Sequence, residues 1–177
     1  MTLDGDIHLV KAARAGSDAA FARLVSRHQG AVRGFLRRVL NGDHAEADDV
    51  AQETFLTAWG SLGGLKDPAG VRVWLCGIAW RKARDRMRGR RRGQARDGAW
   101  LEASAPPTGV SPEDRMAMEA AMADLAPDER ACVALCLAEG WSHPEAAMAL
   151  GLPLGTVKSH VGRGRAKLLQ ALGGSDG

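Results

Sequence analysis

The stretch LGLPLGTVKSHVGRGRAKLL, residues 150–169, combines a tight turn with a helix that has two different faces. Gly151 suits a left-handed helix C-cap, and Pro153 cannot continue the helix that precedes it. Gly164 falls on the apolar stripe of the next helix, where it permits close packing. The other members of that stripe follow helical spacing: Leu154, Val157, Val161, Leu168 and Leu172.

The remaining surface of this helix carries small and basic residues, which suit insertion into a major groove. They include Thr156, Lys158, Ser159 and Arg163. In the preceding segment GWSHPEAAMALG, residues 140–151, a Ser and a Glu three positions later predict a capping box. Helix, short Gly/Pro turn and helix form the helix-turn-helix pattern. An ordinary helical hairpin with a solvated basic face is the alternative, and the agreement of cap, turn and stripe favours DNA binding.

Composition limits the class of protein. The chain has 177 residues with 45% hydrophobic content, enough for packed cores in one large or two small domains. It contains no apolar run long enough to span a membrane and no signal-peptide layout, so we expect a cytoplasmic protein. Three cysteines fit a reducing compartment. Cys132, Cys136 and His143 lack an obvious fourth metal ligand, so we predict buried core cysteines, no metal and no cofactor.

The organisation of the chain is predicted to be all-α. Strand-type alternation is absent, and Ala, Leu and Arg dominate. We predict a first helical domain over residues 1–92, a flexible acidic, Pro-rich linker over 93–112, and a helix-turn-helix domain over 113–177. The helices that precede the helix-turn-helix are predicted over residues 7–15, 18–40, 44–62, 71–90, 112–125 and 127–140.

The segment HAEADDVAQETFLTAWGSL, residues 44–62, predicts a helix with an apolar stripe and an acidic patch. The patch consists of Asp48, Asp49, Gln52 and Glu53. Paired aspartates bind metal in some helical enzymes, but such a site needs a second acidic helix, and none is evident. A solvated face and a docking surface for a basic partner are the other two interpretations.

The segment VRVWLCGIAWRKARDRMRGRRR, residues 71–92, predicts a basic helix with interleaved aromatic residues. Nine basic residues and one acid fall within residues 81–96. Such a pattern holds single-stranded nucleic acid by neutralising phosphates and stacking bases. The alternative is that the tryptophans are core and the arginines are only solvated. We assign Trp74 to the core, and the pattern leaves Trp80 open.

Together these segments resemble the extracytoplasmic-function group of bacterial RNA polymerase sigma factors, over residues 18–172. ADDVAQETFLTAW is similar to the polymerase-docking helix of that group. The basic helix is similar to the one that opens and reads the minus-ten promoter element. LAPDERACVALCLAEGWSHPEAAMALGLPLGTVKSHVGRGRAKL is similar to the helix-turn-helix that reads the minus-thirty-five element.

The resemblance implies a role for each patch. The acidic patch would contact the clamp helices of the polymerase beta-prime subunit, and the beta subunit would be a further contact. The loop of residues 65–71 would capture a flipped minus-ten base. The minus-ten single strand would be held by Trp80, Arg81, Lys82 and Arg84. The minus-thirty-five duplex would be read by Thr156, Lys158, Ser159 and Arg163.

The resemblance also implies a sigma factor that directs promoter-specific initiation and is not itself an enzyme. Its expected partners are core RNA polymerase, promoter DNA and an anti-sigma factor, in a stress or envelope response. That anti-sigma factor is one means of holding the chain at the inner membrane. Arg81 stands where the group often has Asn, and His160 where Arg is common, so the exact promoter sequence is not predicted.

Two other functions compete with this interpretation. A LuxR-type transcriptional regulator would explain GTVKSHV, which also fits its recognition helix, but it leaves the acidic and basic helices without a role. A helical metal-dependent enzyme would need a second carboxylate cluster facing Asp48 and Asp49. Only the sigma-factor interpretation accounts for all three segments.

Overall fold

The computed structural model describes residues 3–94 and 112–173, and all regular elements in these ranges are helical. The first range contains four α-helices: α1 (Leu3–Arg14), α2 (Asp18–Val39), α3 (His44–Ser61) and α4 (Val71–Gln94). Two short 3-10 turns, Leu62–Gly64 and Pro68–Gly70, connect α3 to α4. The sequence-based helices agree with these, except that α1 begins earlier and α4 continues further than predicted.

Local capping explains where the first helices begin. The Ser17 side chain accepts a hydrogen bond from the Ala20 backbone N–H at 3.2 Å, and Asp43 accepts one from Glu46 at 2.9 Å. These acceptors satisfy backbone N–H groups that have no partner within the helix. Between α2 and α3, Asn41 and Gly42 adopt positive φ values of 58° and 75° and reverse the chain.

The second described range contains α5 (Pro112–Ala123), α6 (Pro127–Val133), α7 (His143–Leu150) and α8 (Leu154–Gly173). The predicted helix over residues 127–140 is helical as far as Ala138, but its second half, Ala134–Ala138, is a π-helical turn. In this turn the Glu139 N–H donates to the carbonyl of Ala134, five residues earlier, at 3.2 Å.

The two groups of helices pack against each other. An added Cβ at Gly77 in α4 would lie 3.2 Å from the backbone oxygen of Ala149 in α7. Across the same contact, the Arg72 guanidinium lies 4.4 Å from the centre of the Trp141 ring. Because α4 holds the predicted minus-ten residues and α7 begins the helix-turn-helix, the two predicted reading elements touch in this structure.

A buried arginine reinforces this packing. Arg130 in α6 donates hydrogen bonds to the carbonyls of Met122, Ala123 and Leu125, and its Nη1 donates to the Val39 carbonyl of α2 at 3.0 Å. One guanidinium therefore satisfies carbonyl groups from both groups of helices.

The predicted linker over residues 93–112 lies mostly outside the described residues. Gly93 and Gln94 belong to α4, and Pro112 opens α5. The proposed domain boundaries remain a prediction.

Candidate nucleic-acid and protein interfaces

The helix-turn-helix forms with the local chemistry that the sequence predicts. The Ser142 hydroxyl accepts a hydrogen bond from the Glu145 N–H, and the Glu145 carboxylate accepts one from the Ser142 N–H at 2.9 Å. The Ser142 hydroxyl also donates to the Glu145 carboxylate at 2.7 Å. The hydrogen bonds that this carboxylate accepts from the Ser142 hydroxyl and N–H lower the pKa of Glu145 below its ordinary value. Gly151 takes a left-handed conformation, φ 65° and ψ 34°, as the C-cap of α7. The capping box and the glycine turn are confirmed.

The predicted DNA contacts of α8 lie outside its buried stripe. Lys158, Ser159 and Arg163 are exposed and Thr156 is half-buried. Thr156, Ser159 and Arg163 follow helical spacing and share one face. Lys158 is about 140° around the helix from Arg163, since each residue advances about 100°. It therefore lies on a different side of α8 from the other three residues. The buried stripe consists of Val157, Val161, Gly164 and Leu168.

Gly164 is the point where α8 crosses α6 most closely. A Cβ atom there would lie closer than 3.0 Å to Cγ2 of Val133, a separation that real Cβ atoms essentially never show. Close packing at this glycine is therefore confirmed. Beside it, Glu129 of α6 is only 3% exposed, and its Oε2 accepts a hydrogen bond from Lys167 Nζ at 2.8 Å.

On α4, one of the predicted DNA contacts is wrong in this structure. Trp80 is only 1% exposed, so its ring is not available to stack on a base. Its position falls on one helical stripe with Cys76 and Ala83, and all three are buried. The Trp80 ring packs edge-on against Phe35 of α2, with ring centroids 6.3 Å apart. Trp80 is therefore a core residue.

The other predicted minus-ten residues remain accessible on α4. Arg81 is exposed, and Lys82 and Arg84 are half-buried. Within the described residues none of the three makes an ion pair. The Arg84 guanidinium lies over the Trp80 ring, 5.7 Å from its centroid. The three side chains therefore form a positive surface with no acidic partner in the described parts of the chain.

Further along α4, two of the basic residues are paired with acids in α3 or at its N-cap. Arg86 forms an ion pair with Glu53. Arg90 lies 2.5 Å from the carboxylate of Asp43 and 2.7 Å from that of Glu46. The basic run thus divides into an unpaired first part and a second part that braces α3 against α4.

The predicted acidic patch borders an apolar groove of about 640 Å³ between α2 and α3. Phe21 and Trp59 meet inside it with ring centroids 4.6 Å apart, and Trp59 is 40% exposed although its periodicity places it on an inward stripe. Leu56 adds a further exposed apolar side chain. The sequence indicated the acids but not this apolar groove beside them.

The acids of the predicted patch differ in their partners. Asp48 lies 3.4 Å from Arg37 Nη2 and 3.6 Å from Arg33 Nε, while Glu53 is paired across to α4. Asp49 and Gln52 line the groove, are exposed and form no ion pair within the described residues. Asp49 and Gln52 are therefore the members of the patch that are free to meet a partner.

The loop of residues 65–71 is held by α1. Arg14 donates from Nε to the Leu62 carbonyl at 3.1 Å and from Nη2 to the Leu65 carbonyl. Asp67 caps the following turn by accepting from the Ala69 N–H at 3.0 Å. Lys66 and Asp67 are exposed at the loop surface. Sequence reasoning gave Arg14 no role, because its partners are carbonyl groups that carry no sequence signal.

Other kinds of site find no support in the residues that the structure describes. No group of three or more His, Cys, Asp or Glu there is arranged to hold a metal ion. Burial raises the pKa of the Cys132 thiol, and separately that of Cys76, to about 12. No helix in the described ranges is long and apolar enough to cross a membrane.

Sequence comparison assigns both halves of the chain. The family model for sigma-70 region 2 matches residues 24–93, and that for sigma-70, region 4, matches residues 115–168. RNA polymerase sigma factor CarQ of Myxococcus xanthus is 36% identical, over 90% of this chain and 93% of CarQ. The ECF RNA polymerase sigma factor SigM of Mycobacterium tuberculosis is 33% identical, over 95% of this chain and 85% of SigM.

Two solved structures share the arrangement of helices. One is the sigma factor RpoE in complex with the anti-sigma factor NepR from Bartonella quintana. It has a TM-score of 0.75 and 28% identity, and covers 86% of this chain and 96% of RpoE. The other is CnrH in complex with the cytosolic domain of CnrY. It has a TM-score of 0.71 and 32% identity, and covers 98% of this chain and 99% of CnrH. By these family models and relatives, the chain belongs to the extracytoplasmic-function group of RNA polymerase sigma factors.

Proposed function

We propose that this sigma factor docks on core RNA polymerase through the α2–α3 groove and reads two promoter elements, one with α4 and one with α8. The observation that carries the proposal is the presence, in one chain, of three separate surfaces with different chemistry. An apolar groove with an acidic rim suits a protein, whereas an unpaired basic surface and a helix-turn-helix suit DNA. The chemistry of RNA synthesis stays with the polymerase.

For docking, the groove is lined by exposed Trp59 and Leu56 together with Asp49. A partner with apolar side chains flanked by basic ones complements this surface. We assign that role to the clamp helices of the beta-prime subunit. Asp48 and Glu53 contribute less than Asp49 in this assignment, because arginines of this chain already contact their carboxylates.

For the minus-ten element, Arg81, Lys82 and Arg84 hold the phosphates of the single strand, and the loop of residues 65–71 receives a base. Because Trp80 is in the core, these three residues bind the single strand electrostatically, and no base stacks on the Trp80 ring. Recognition of the base then falls to the exposed loop, which α1 braces.

For the minus-thirty-five element, α8 enters the major groove with Thr156, Ser159 and Arg163 towards the bases. Lys158 contacts the backbone from the other side of the helix. The two elements lie about 85 Å apart, taking about 25 base pairs at about 3.4 Å each. Helices α4 and α7 touch in the structure, so the two groups of helices must separate before both elements are read.

We therefore propose that the packed arrangement belongs to the free protein and that polymerase binding opens it. Linking two weak readers on one chain raises their joint affinity only when their spacing matches the DNA. Because RpoE was solved with an anti-sigma factor and CnrH with the cytosolic domain of CnrY, we further propose that an anti-sigma protein controls this chain, in the cytoplasm, where the polymerase acts.

Titration of labelled protein with sigma-free core polymerase, followed by promoter DNA, tests this function. We expect tight binding to the polymerase, and specific binding to duplex promoter only in its presence. Asp49→Arg is expected to weaken polymerase binding at least tenfold, while Lys11→Gln, an exposed change on α1, has no effect. Nanomolar, sequence-specific binding of the free chain to duplex DNA would instead indicate a stand-alone regulator.

A further inference from the structure

Glu129 is a buried acid in contact with the DNA-reading helix. It is 3% exposed, whereas acids are almost never buried without a partner. Lys167 of α8 supplies a hydrogen bond to Oε2 at 2.8 Å. Oε1 has no hydrogen-bond partner among the described residues, and Nε of Arg163 lies 3.8 Å from it.

The geometry of the crossing places this carboxylate between the two cations. Arg163 and Lys167 are one helical turn apart on α8, and Gly164 lies on the buried stripe between them. A Cβ at position 164 would come within 3.4 Å of Glu129 Cγ. The missing side chain thus lets α6 approach until one carboxylate faces both basic residues.

Both side chains remain more than half exposed. Arg163 is 61% exposed and Lys167 is 53% exposed, even though their shared acid is buried. A side chain held by a buried charge loses less conformational freedom when it binds. In addition, an ammonium that is engaged with Glu129 contributes less to unspecific attraction for phosphate.

We propose that Glu129 is a positioning residue for promoter recognition, which orients Arg163 towards the bases and keeps Lys167 from binding phosphate indiscriminately. This inference rests on the proposed role of α8 as the minus-thirty-five reader. Glu129 itself need not touch DNA, since it acts through the two cations.

The test compares holoenzyme binding to promoter fragments with an intact or a scrambled minus-thirty-five element, over a range of salt concentrations. Glu129→Gln keeps an oxygen that can accept from Lys167 but removes the charge. We expect discrimination between the fragments to fall roughly tenfold, the size of one good base contact. The slope of log affinity against log salt is expected to steepen by about 1, because one more cation is free for phosphate.

Glu113→Gln, an exposed acid on α5, makes the same change in net charge and is the matched control. It is expected to leave both readouts unchanged. Unchanged discrimination and slope in Glu129→Gln would overturn the inference. If the unmodified holoenzyme itself does not distinguish the fragments, the proposed role of α8 fails, and the inference fails with it.

Lys167→Gln keeps the inference testable if Glu129→Gln does not fold. This change is on an exposed side chain, so it leaves the helices intact. Because Glu129 already keeps Lys167 from binding phosphate, removing this cation is expected to leave the slope of log affinity against log salt unchanged. A slope shallower by about 1 would overturn the inference.

Discussion

Two glycines on α8, two residues apart, are expected to respond in opposite directions to the same substitution. A Cβ at Gly162 would have no heavy atom within 4 Å, whereas one at Gly164 would lie closer than 3.0 Å to Cγ2 of Val133. Both positions are helical, so alanine improves helix propensity at each by about 1 kcal/mol. Only at Gly164 must the added methyl group also fit into space that Val133 already occupies.

The size of the clash follows from what surrounds it. Val133 is buried and β-branched, so its methyl group cannot rotate freely out of the way. Overpacking of this kind costs about 1–3 kcal/mol. Gly162→Ala is therefore expected to raise the free energy of unfolding by up to about 1 kcal/mol. Gly164→Ala is expected to lower it by up to about 2 kcal/mol, after its own gain in propensity.

Urea unfolding followed by circular dichroism measures both variants against the unmodified chain. The free energies of unfolding of the two variants should differ by about 1–3 kcal/mol. In a chain of this size each kcal/mol corresponds to roughly 2–4 °C in Tm. If Gly164→Ala stabilises the protein as much as Gly162→Ala does, the close crossing of α6 and α8 is refuted. The contact between Glu129 and α8, which depends on this crossing, would then be refuted as well.

Three further predictions concern the packing of the helices. Gly77→Leu pushes α4 away from the Ala149 backbone, so solution X-ray scattering should show a larger radius of gyration at unchanged helix content. Gly89→Leu, where a Cβ meets nothing within 4 Å, should not change the radius, and equal radii for both variants would contradict the α4–α7 contact. Arg130→Met leaves buried carbonyls without donors and should lower the free energy of unfolding, measured with urea, by about 3 kcal/mol or more. A loss below about 1 kcal/mol would contradict the hydrogen bonds of Arg130 to these carbonyls. Burial lowers the pKa of His28 against the opposing effect of Asp6, so as the pH falls the unfolded chain protonates it at about pH 6.5, before the folded chain does. The contribution of His28 to the free energy of unfolding is thus present above that pH and falls below it. Between about pH 7.5 and 5.5, His28→Gln should therefore lose less stability than the unmodified chain.

The sequence was most informative where structure depends on neighbouring residues. The capping box of Ser142 and Glu145 and the left-handed turn at Gly151 involve groups only a few positions apart, so they could be predicted from local chemistry. The same holds for Gly164, because helical periodicity alone places it on the apolar stripe.

Features that depend on distant parts of the chain were not predictable in this way. Trp80 belongs to the core because Phe35 of α2 packs against it, and a basic helix with aromatics gives no indication of that partner. Periodicity places Trp59 on an apolar stripe but does not say what covers the stripe, and here it borders an open groove. Glu129 finds Lys167 38 residues along the chain, through a crossing that only the fold establishes.

The most direct test of the central claim is transcription in vitro with sigma-free bacterial core polymerase and a pool of promoter fragments from the host genome. We expect specific start sites that appear only when the purified chain is added. They should disappear with Asp49→Arg, which blocks docking, and with Arg163→Ala, which removes a base contact, but persist with Lys11→Gln. Absence of any chain-dependent start site, together with full occupancy of the polymerase, would contradict a role in initiation.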